Sequence, residues 1–268
     1  MNLICIKENL KEGLDNALKI IRSNSTLPIL NNFLLTADNG RLKISSTDLE
    51  IGITSWVSSK ISKDGGIAVP AQLLSQFIGN LPNKNINLEV KNQKLYLNCD
   101  NINAVINGLS PDDFPIIPKI NNAPVLLINS SVLKESLNSV INSAATSNNR
   151  PEISSIYLRM EPDWIKIVST DSFRLAHKTL FISSDDLNDK IKINYQKSQN
   201  IIIPLRTAGE ILRILGDKNI DIKISIDENQ VLFDMGDINI ISRLIEGNYP
   251  DYEAIIPRES ETELLLQK

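Results

Sequence analysis

A chain that repeats its own hydrophobic pattern at a fixed offset must fold as copies of one unit, and this sequence does so. Within residues 8–22, Leu10, Leu14, Ala17, Leu18 and Ile21 recur at helical spacing and make one apolar stripe. Adding 123 to each number gives Leu133, Leu137, Val140, Ile141 and Ala144, the same stripe within residues 130–146. Short alternating segments precede both, at residues 2–6 and 125–128, and Ser46-Thr47-Asp48 recurs at the same offset as Ser169-Thr170-Asp171. A second helix follows Pro70, a residue favoured at helix starts, with Leu74, Phe77, Ile78 and Leu81 on one face. Adding 134 gives Pro204, Ala208, Ile211, Leu212 and Leu215, and carries the alternating strand 86–90 onto 220–224. The eleven residues gained between the two offsets fall in the polar segment 183–200, which reads as an extended surface loop.

Each copy closes on a similar turn. Asn-Gly-Leu-Ser-Pro-Asp-Asp-Phe-Pro-Ile-Ile-Pro at 107–118 and Arg-Leu-Ile-Glu-Gly-Asn-Tyr-Pro-Asp-Tyr-Glu-Ala-Ile-Ile-Pro at 243–257 both carry an aromatic-proline pair and then two isoleucines and a proline. One copy reads strand, helix, several strands, proline-started helix, several strands. That order predicts an α+β fold in tandem, with two helices packed on antiparallel sheets in each module. The boundaries expected are 1–121 for the first module and 122–257 for the second. Residues 258–268 then form a linker and, from the likeness of 261–267 to 124–129, the opening strand of a third copy.

Composition narrows the class. At 268 residues two units are the natural expectation. No apolar run approaches the roughly 18 residues of a membrane span, and the start lacks a signal-peptide core, so a cytoplasmic location is expected. A net charge of −4 and a pI near 5.2 argue against a generally basic nucleic-acid coat while leaving the placement of 28 basic residues open. Cys5 and Cys99 are too few for a disulfide framework or metal cage and read as buried thiols.

No catalytic constellation or cofactor motif can be assembled. His177, the one histidine, lies in an alternating stretch and reads as a strand residue. Asp48, Glu50 and Asp171 are conceivable acid-base or Mg²⁺ carboxylates, but two of them sit in the repeated Ser-Thr-Asp turn, where Asp more often caps the turn. A glycine phosphate loop, a Cys/His cluster and a nucleophile elbow are all absent from the sequence. Trp56 and Trp164 read as core or interface fillers.

Four separated motifs, Thr26-Leu27-Pro28-Ile29-Leu30, Ser46 to Glu50, Thr170 to Ala176 and Arg243 to Tyr252, together resemble the bacterial sliding clamp family, the beta subunit of DNA polymerase III. The resemblance runs the length of the chain. It implies a non-enzymatic replication protein: a head-to-tail homodimer of three-module chains, closed into a ring around duplex DNA, that tethers polymerase and clamp-loader subunits. A chain of two modules and one further strand is not expected to close that usual ring. The resemblance further implies a pocket for short linear motifs at Ile153, Thr170, Ser172, Arg174, Leu175, Pro250 and Ile255. Leu175, Ile153 and Ile255 suit an apolar anchor and Pro250 a rigid wall. The chain departs from the family at Ser172 and Phe173, where Gly and then His or Tyr are common, and at Ala254, often basic, which implies a narrower pocket.

A sliding ring holds phosphates without reading bases, so it needs lysine and arginine aimed at the backbone. Lys11, Arg22, Arg150, Arg206 and Arg213 are the candidates, with a solvated surface charge as the plain alternative for each. Asn24, Gln72 and Leu73 stand at some positions that are basic elsewhere in the family, which implies a weaker grip. The alternative function from another class is an interaction adapter of the same fold that keeps the peptide pocket and no longer encircles DNA. A hydrolase built on Asp48, Glu50 or Asp171 is the remote third.

Overall fold

The structure is a computed structural model that describes residues 1–21, 27–38, 40–147, 149–182, 190–195 and 198–257. It opens with β1 (Asn2–Ile6), α1 (Lys7–Leu18), β2 (Asn32–Asp38), β3 (Arg41–Thr47), β4 (Ile51–Lys63) and β5 (Gly65–Pro70). Next come α2 (Ala71–Gly79), β6 (Asn85–Lys91), β7 (Lys94–Cys99) and β8 (Ile102–Asn107). The series then starts again with β9 (Leu126–Asn129), α3 (Ser130–Val140), β10 (Ser155–Glu161), β11 (Trp164–Thr170), β12 (Leu175–Phe181) and β13 (Ile191–Ile193). It finishes with β14 (Gln199–Pro204), α4 (Leu205–Leu215), β15 (Asp221–Asp227), β16 (Gln230–Asp234) and β17 (Ile238–Arg243). All pairing is antiparallel, and the α+β order expected from the repeat is the order seen.

The stripes do what their spacing predicts. Leu10, Leu14 and Ala17 are buried in one core, and Leu133, Leu137 and Val140 in the other. Leu74 and Ile78 on α2, and Ala208, Ile211 and Leu215 on α4, supply the second helix of each core. Both first helices end sooner than their stripes. The helix α1 stops at Leu18, and α3 stops at Val140 and tightens into a 3-10 turn over Ile141–Ser143. Pro70 and Pro204 are N-caps with extended ψ and not first-turn residues, since each also closes a strand (β5, β14).

The expectation of a surface loop over 183–200 needs correction. Ile191 and Ile193 alternate and return the chain to the sheet as β13, with Ile191 opposite Ile128 on β9. Their burial against the second core is the reason. The strand expected at 261–267 lies outside the described residues.

The two modules share a ladder. The long strand β4 uses one end (Leu3 opposite Ile61) to pair with β1, while its other end pairs with β17 of the second module (Ile53 opposite Ile240). Ile20, Ile51 and Ile53 of the first copy are thereby buried in the second core. Each such isoleucine contributes about 1.5–3 kcal/mol relative to exposure, so the joint is apolar and strong. The strap after β8 crosses the joint: a Cβ at Gly52 would lie 2.9 Å from Ile117 Cγ2 and 3.0 Å from Ile241 Cγ2. Glycine is what lets the strap lie flat. Among the described residues no helix is long and apolar enough to cross a membrane.

Candidate peptide and nucleic-acid interfaces

The repeated Ser-Thr-Asp turn is built the same way twice. Ser46 Oγ donates to the Ala17 carbonyl at 2.6 Å, and Ser169 Oγ donates to the Val140 carbonyl, fastening each turn to its helix. Thr47 Oγ1 donates to the Ile51 carbonyl (2.9 Å) and accepts from the Leu49 amide (3.0 Å). Thr170 Oγ1 repeats this with the Arg174 carbonyl (2.7 Å) and the Ser172 amide (3.1 Å). Asp48 Oδ1 accepts from the amides of Glu50 and Ile51, and Asp171 Oδ1 from those of Phe173 and Arg174. With both aspartates committed to turn amides, the hydrolase reading loses two of its three carboxylates. No group of three or more His, Cys, Asp or Glu among the described residues could hold a metal ion.

The turn also sets φ. Leu49 at 77° and Ser172 at 76° occupy equivalent left-handed positions, which glycine fills at least cost. Asp171 is held down to about 2 by the Arg174 amide, the Arg174 guanidinium and the Phe173 amide, in that order. Arg174 lies on it with both Nε (2.9 Å) and Nη2 (2.8 Å).

Around this turn the expected pocket positions take different environments. Thr170 and Leu175 face each other across β11 and β12, Thr170 buried and Leu175 half-buried. Ser172 Oγ accepts from Arg150 Nη1 at 3.3 Å, which brings an expected DNA residue to an expected peptide residue. Arg150 is also paired with Glu152 (3.1 Å), whose carboxyl is held low first by its own backbone amide and then by that arginine. Ile153 is buried and bonded by backbone to Arg150 and Ala145, so it supports the floor from beneath. Pro250 is half-buried, and Ile255 is 67% exposed at the far end of the same crossing.

The sequence reading missed the aromatic cluster that holds this crossing down. Tyr249 stacks on Tyr157 with centroids 4.7 Å apart and planes 7° apart, and Tyr252 meets both edge-on. The Tyr249 hydroxyl is buried beside the Thr170 backbone without a hydrogen bond of normal geometry, and burial pushes its phenol well up. Glu253 pairs with Lys166 at 2.7 Å, and Arg159 and Lys166 both stand over the Trp164 ring. Tyr157 lies at an outward position of β10 and could have been flagged by alternation alone; its partners 92 and 95 residues on could not.

The basic candidates divide sharply. Lys11 is exposed on α1, and Arg213 on α4 is exposed while paired with Glu210 at 3.1 Å one turn back. Arg206 is drawn inward: it pairs with Asp48 of the first module and donates Nη2 to the Ile20 carbonyl at 3.2 Å, with 25% of its side chain exposed. It is a strut across the joint, which an outward-facing phosphate ligand could not be. Arg22 and Asn24 lie outside the described residues; Gln72 and Leu73 are exposed on α2.

Two cations missing from the sequence reading join them. Lys19 Nζ donates to the Arg213 carbonyl at 2.9 Å, and Lys218 pairs with Glu12 at 2.7 Å, so α1 and the end of α4 lie side by side. Burial first, and then Arg213 and Lys218, depress the Lys19 ammonium. Counted along their whole length, the four helices are nonetheless neutral in sum. The helix α1 carries two lysines against two glutamates and an aspartate, α2 no charge, α3 a lysine and a glutamate, and α4 two arginines and a glutamate.

Comparison with known proteins agrees with the repeat. The profile of the DNA polymerase III beta subunit N-terminal domain matches residues 1–118, and that of the central domain residues 127–251. The chain is 29% identical to the beta sliding clamp of Bacillus subtilis over 97% of its own length and 69% of the relative's. It is equally 29% identical to that of Synechocystis sp., over 97% and 70%. The crystal structure of the Bacillus subtilis sliding clamp matches with a TM-score of 0.89 at 28% identity, over 97% of this chain and 68% of that one. The DNA polymerase III beta subunit structure from Pseudomonas aeruginosa matches with a TM-score of 0.88 at 25% identity, over 97% and 69%. With both profiles falling in order on the two copies of the repeat, the chain belongs to the DNA polymerase III beta subunit family, a family of non-catalytic sliding-clamp subunits.

Proposed function

We propose that this chain acts as a DNA polymerase processivity factor, presenting helices to duplex DNA and an outer pocket to partner proteins. The observation that carries the reading is the β4–β17 joint, which sets α1 beside the end of α4 and gathers Lys19, Arg213 and Lys218 along one seam. Such a surface meets phosphates and reads no bases. In this reading Leu175 and Pro250 receive the apolar anchors of short linear motifs from polymerase and clamp-loader subunits, and the Tyr157–Tyr249 stack holds down the segment that carries Pro250. Two anchors supply roughly 3–6 kcal/mol at about 1.5–3 each, and micromolar binding needs about 8.2, so backbone contacts from the peptide make up the difference. Residues 1–121 and 122–257 are the two modules of this reading.

The neutral sum of the four helices favours a second reading, an adapter that binds partner peptides without encircling DNA. Retention on nicked circular DNA separates the two. A clamp is held on the circle and lost when the circle is cut; an adapter binds neither form and still binds peptide.

A further inference from the structure

The first Ser-Thr-Asp turn opens onto a cleft where the two modules meet. Leu49, Ile51 and Gly52 of the first module, Ile116 of the strap, and Ile241 and Arg243 of β17 line about 310 Å³. That volume is at the low end of ligand sites, roughly 300–1,000 Å³, and is room for a side chain or two. The floor is buried, with Ile51 and Ile241 1% and 7% exposed, while at the rim Leu49 is 50% and Ile116 93% exposed. A second cleft of about 650 Å³ shares Glu50 and Arg243 with the first and continues past Leu244 and Ile245, so the trough is long enough for an extended chain.

The fold does not account for the rim. Leu49 holds φ at 77°, a conformation that glycine or asparagine takes at less cost, and neither Leu49 nor Ile116 belongs to either core. Arg243 gives the rim its sign. Its amide donates to the Glu50 carbonyl at 3.0 Å and fixes the backbone, but among the described residues neither its guanidinium nor the Glu50 carboxylate forms an ion pair. An exposed apolar pair beside an unpaired guanidinium matches a large apolar side chain followed by one carboxylate; Glu50 on the same rim disfavours a run of them. The turn residues recur 123 positions on as Ser172, Arg174 and Leu175, with Ile255 exposed as Ile116 is. There β12 pairs only with β11 among the described residues, whereas at the first turn β17 supplies the opposing wall.

We infer that this cleft is a second docking site, within a single chain, for an extended segment of a partner protein that packs a large apolar side chain against Leu49 and Ile116 and sets a carboxylate on Arg243. That the partner is a linear motif rests on the proposed function; the cleft itself does not.

Titration calorimetry on the whole chain carrying Leu175→Asp isolates the cleft, because that change removes the anchor of the other pocket. The probe is a short capped peptide with a Leu-Phe pair beside an Asp, and the expected result is one site per chain. Ile116→Asp, at an almost fully exposed position, weakens it roughly tenfold or more. Leu49→Asn weakens it likewise while leaving the melting temperature unchanged or higher, since asparagine takes φ near 77° more readily than leucine; a purely structural role would move stability and not binding. Arg243→Glu also weakens the probe, and a probe with Lys in place of Asp restores the affinity. Binding by the wild-type chain that Leu175→Asp abolishes overturns the second site and leaves the proposed function standing. One wild-type site that Leu175→Asp leaves intact and Ile116→Asp abolishes keeps the cleft and overturns the Leu175 pocket. Binding that survives both Ile116→Asp and Leu49→Asn, or no binding by either chain, overturns the inference.

Discussion

The salt dependence of DNA binding tests the division of the basic residues. Each phosphate neutralised on duplex DNA contributes a slope of about −0.9 in log K against log salt. Lys11, Arg150 and Arg213 are exposed, the last two in surface pairs worth about 0–1 kcal/mol that a phosphate can displace. With Lys19 and Lys218 of the seam these make five contacts and a slope of about −4.5, a roughly 500-fold fall in affinity between about 50 and 200 mM salt. Adding Arg206 and Arg22 would steepen it to about −6.3 and the fall to roughly 6,000-fold. Arg206 is excluded by its place: its guanidinium holds Asp48 and the Ile20 carbonyl across the joint. Fluorescence anisotropy on two duplexes of equal length and different sequence measures the slope. Lys11→Gln should reduce it by about 0.9 on both. Arg206→Ala should leave the slope unchanged while lowering the melting temperature. A slope near zero refutes phosphate-dominated contact, and a slope that falls with Arg206→Ala refutes the strut.

Leu175→Asp should weaken a clamp-motif peptide by roughly 10- to 150-fold, the loss of one apolar anchor of about 1.5–3 kcal/mol; unchanged affinity by titration calorimetry removes Leu175 from the pocket. Gly108→Ala should destabilise the first module by about 1–3 kcal/mol, because the new Cβ would lie 2.7 Å from the Ala68 carbonyl oxygen and 2.5 Å from Ile67 Cδ1. Calorimetry should then show a drop of about 2–4 °C per kcal/mol, and an unchanged melting temperature would contradict the packing. Asp171, depressed from 3.8 to about 2, stabilises the fold fully above its unfolded value and loses that contribution as pH falls through about 2. The wild-type chain should therefore lose more stability than Asp171→Asn between about pH 4 and 2, and parallel curves by circular dichroism would contradict the turn assignment.

Much of the fold was legible because burial is periodic. Leu10, Leu14 and Ala17 and their counterparts 123 residues on needed only a neighbouring sheet to face, and the strands were flagged by alternation. The Ser-Thr-Asp turns were legible for a different reason: the threonine and aspartate bonds that shape them close within five residues, so local chemistry settles the turn, and only the serine bond to the helix is long-range. Corrections arose where the sequence offered short or polar signals. The strand β13 hides in an otherwise polar insertion, and α1 and α3 end before their apolar stripes do.

The sequence by itself thus determined two α+β modules, their helices, their matched turns and the family they resemble. Only the tertiary structure decided that β4 reaches β17, that Arg206 turns inward to Asp48, that Tyr157 meets Tyr249 and that Lys19 and Lys218 join Arg213 at one seam. A residue's tendency to be buried is written in its near neighbours. Which edge a strand bonds, and whether a cation meets a carboxylate or water, depends on groups brought together from far along the chain, and no spacing along the chain encodes that meeting.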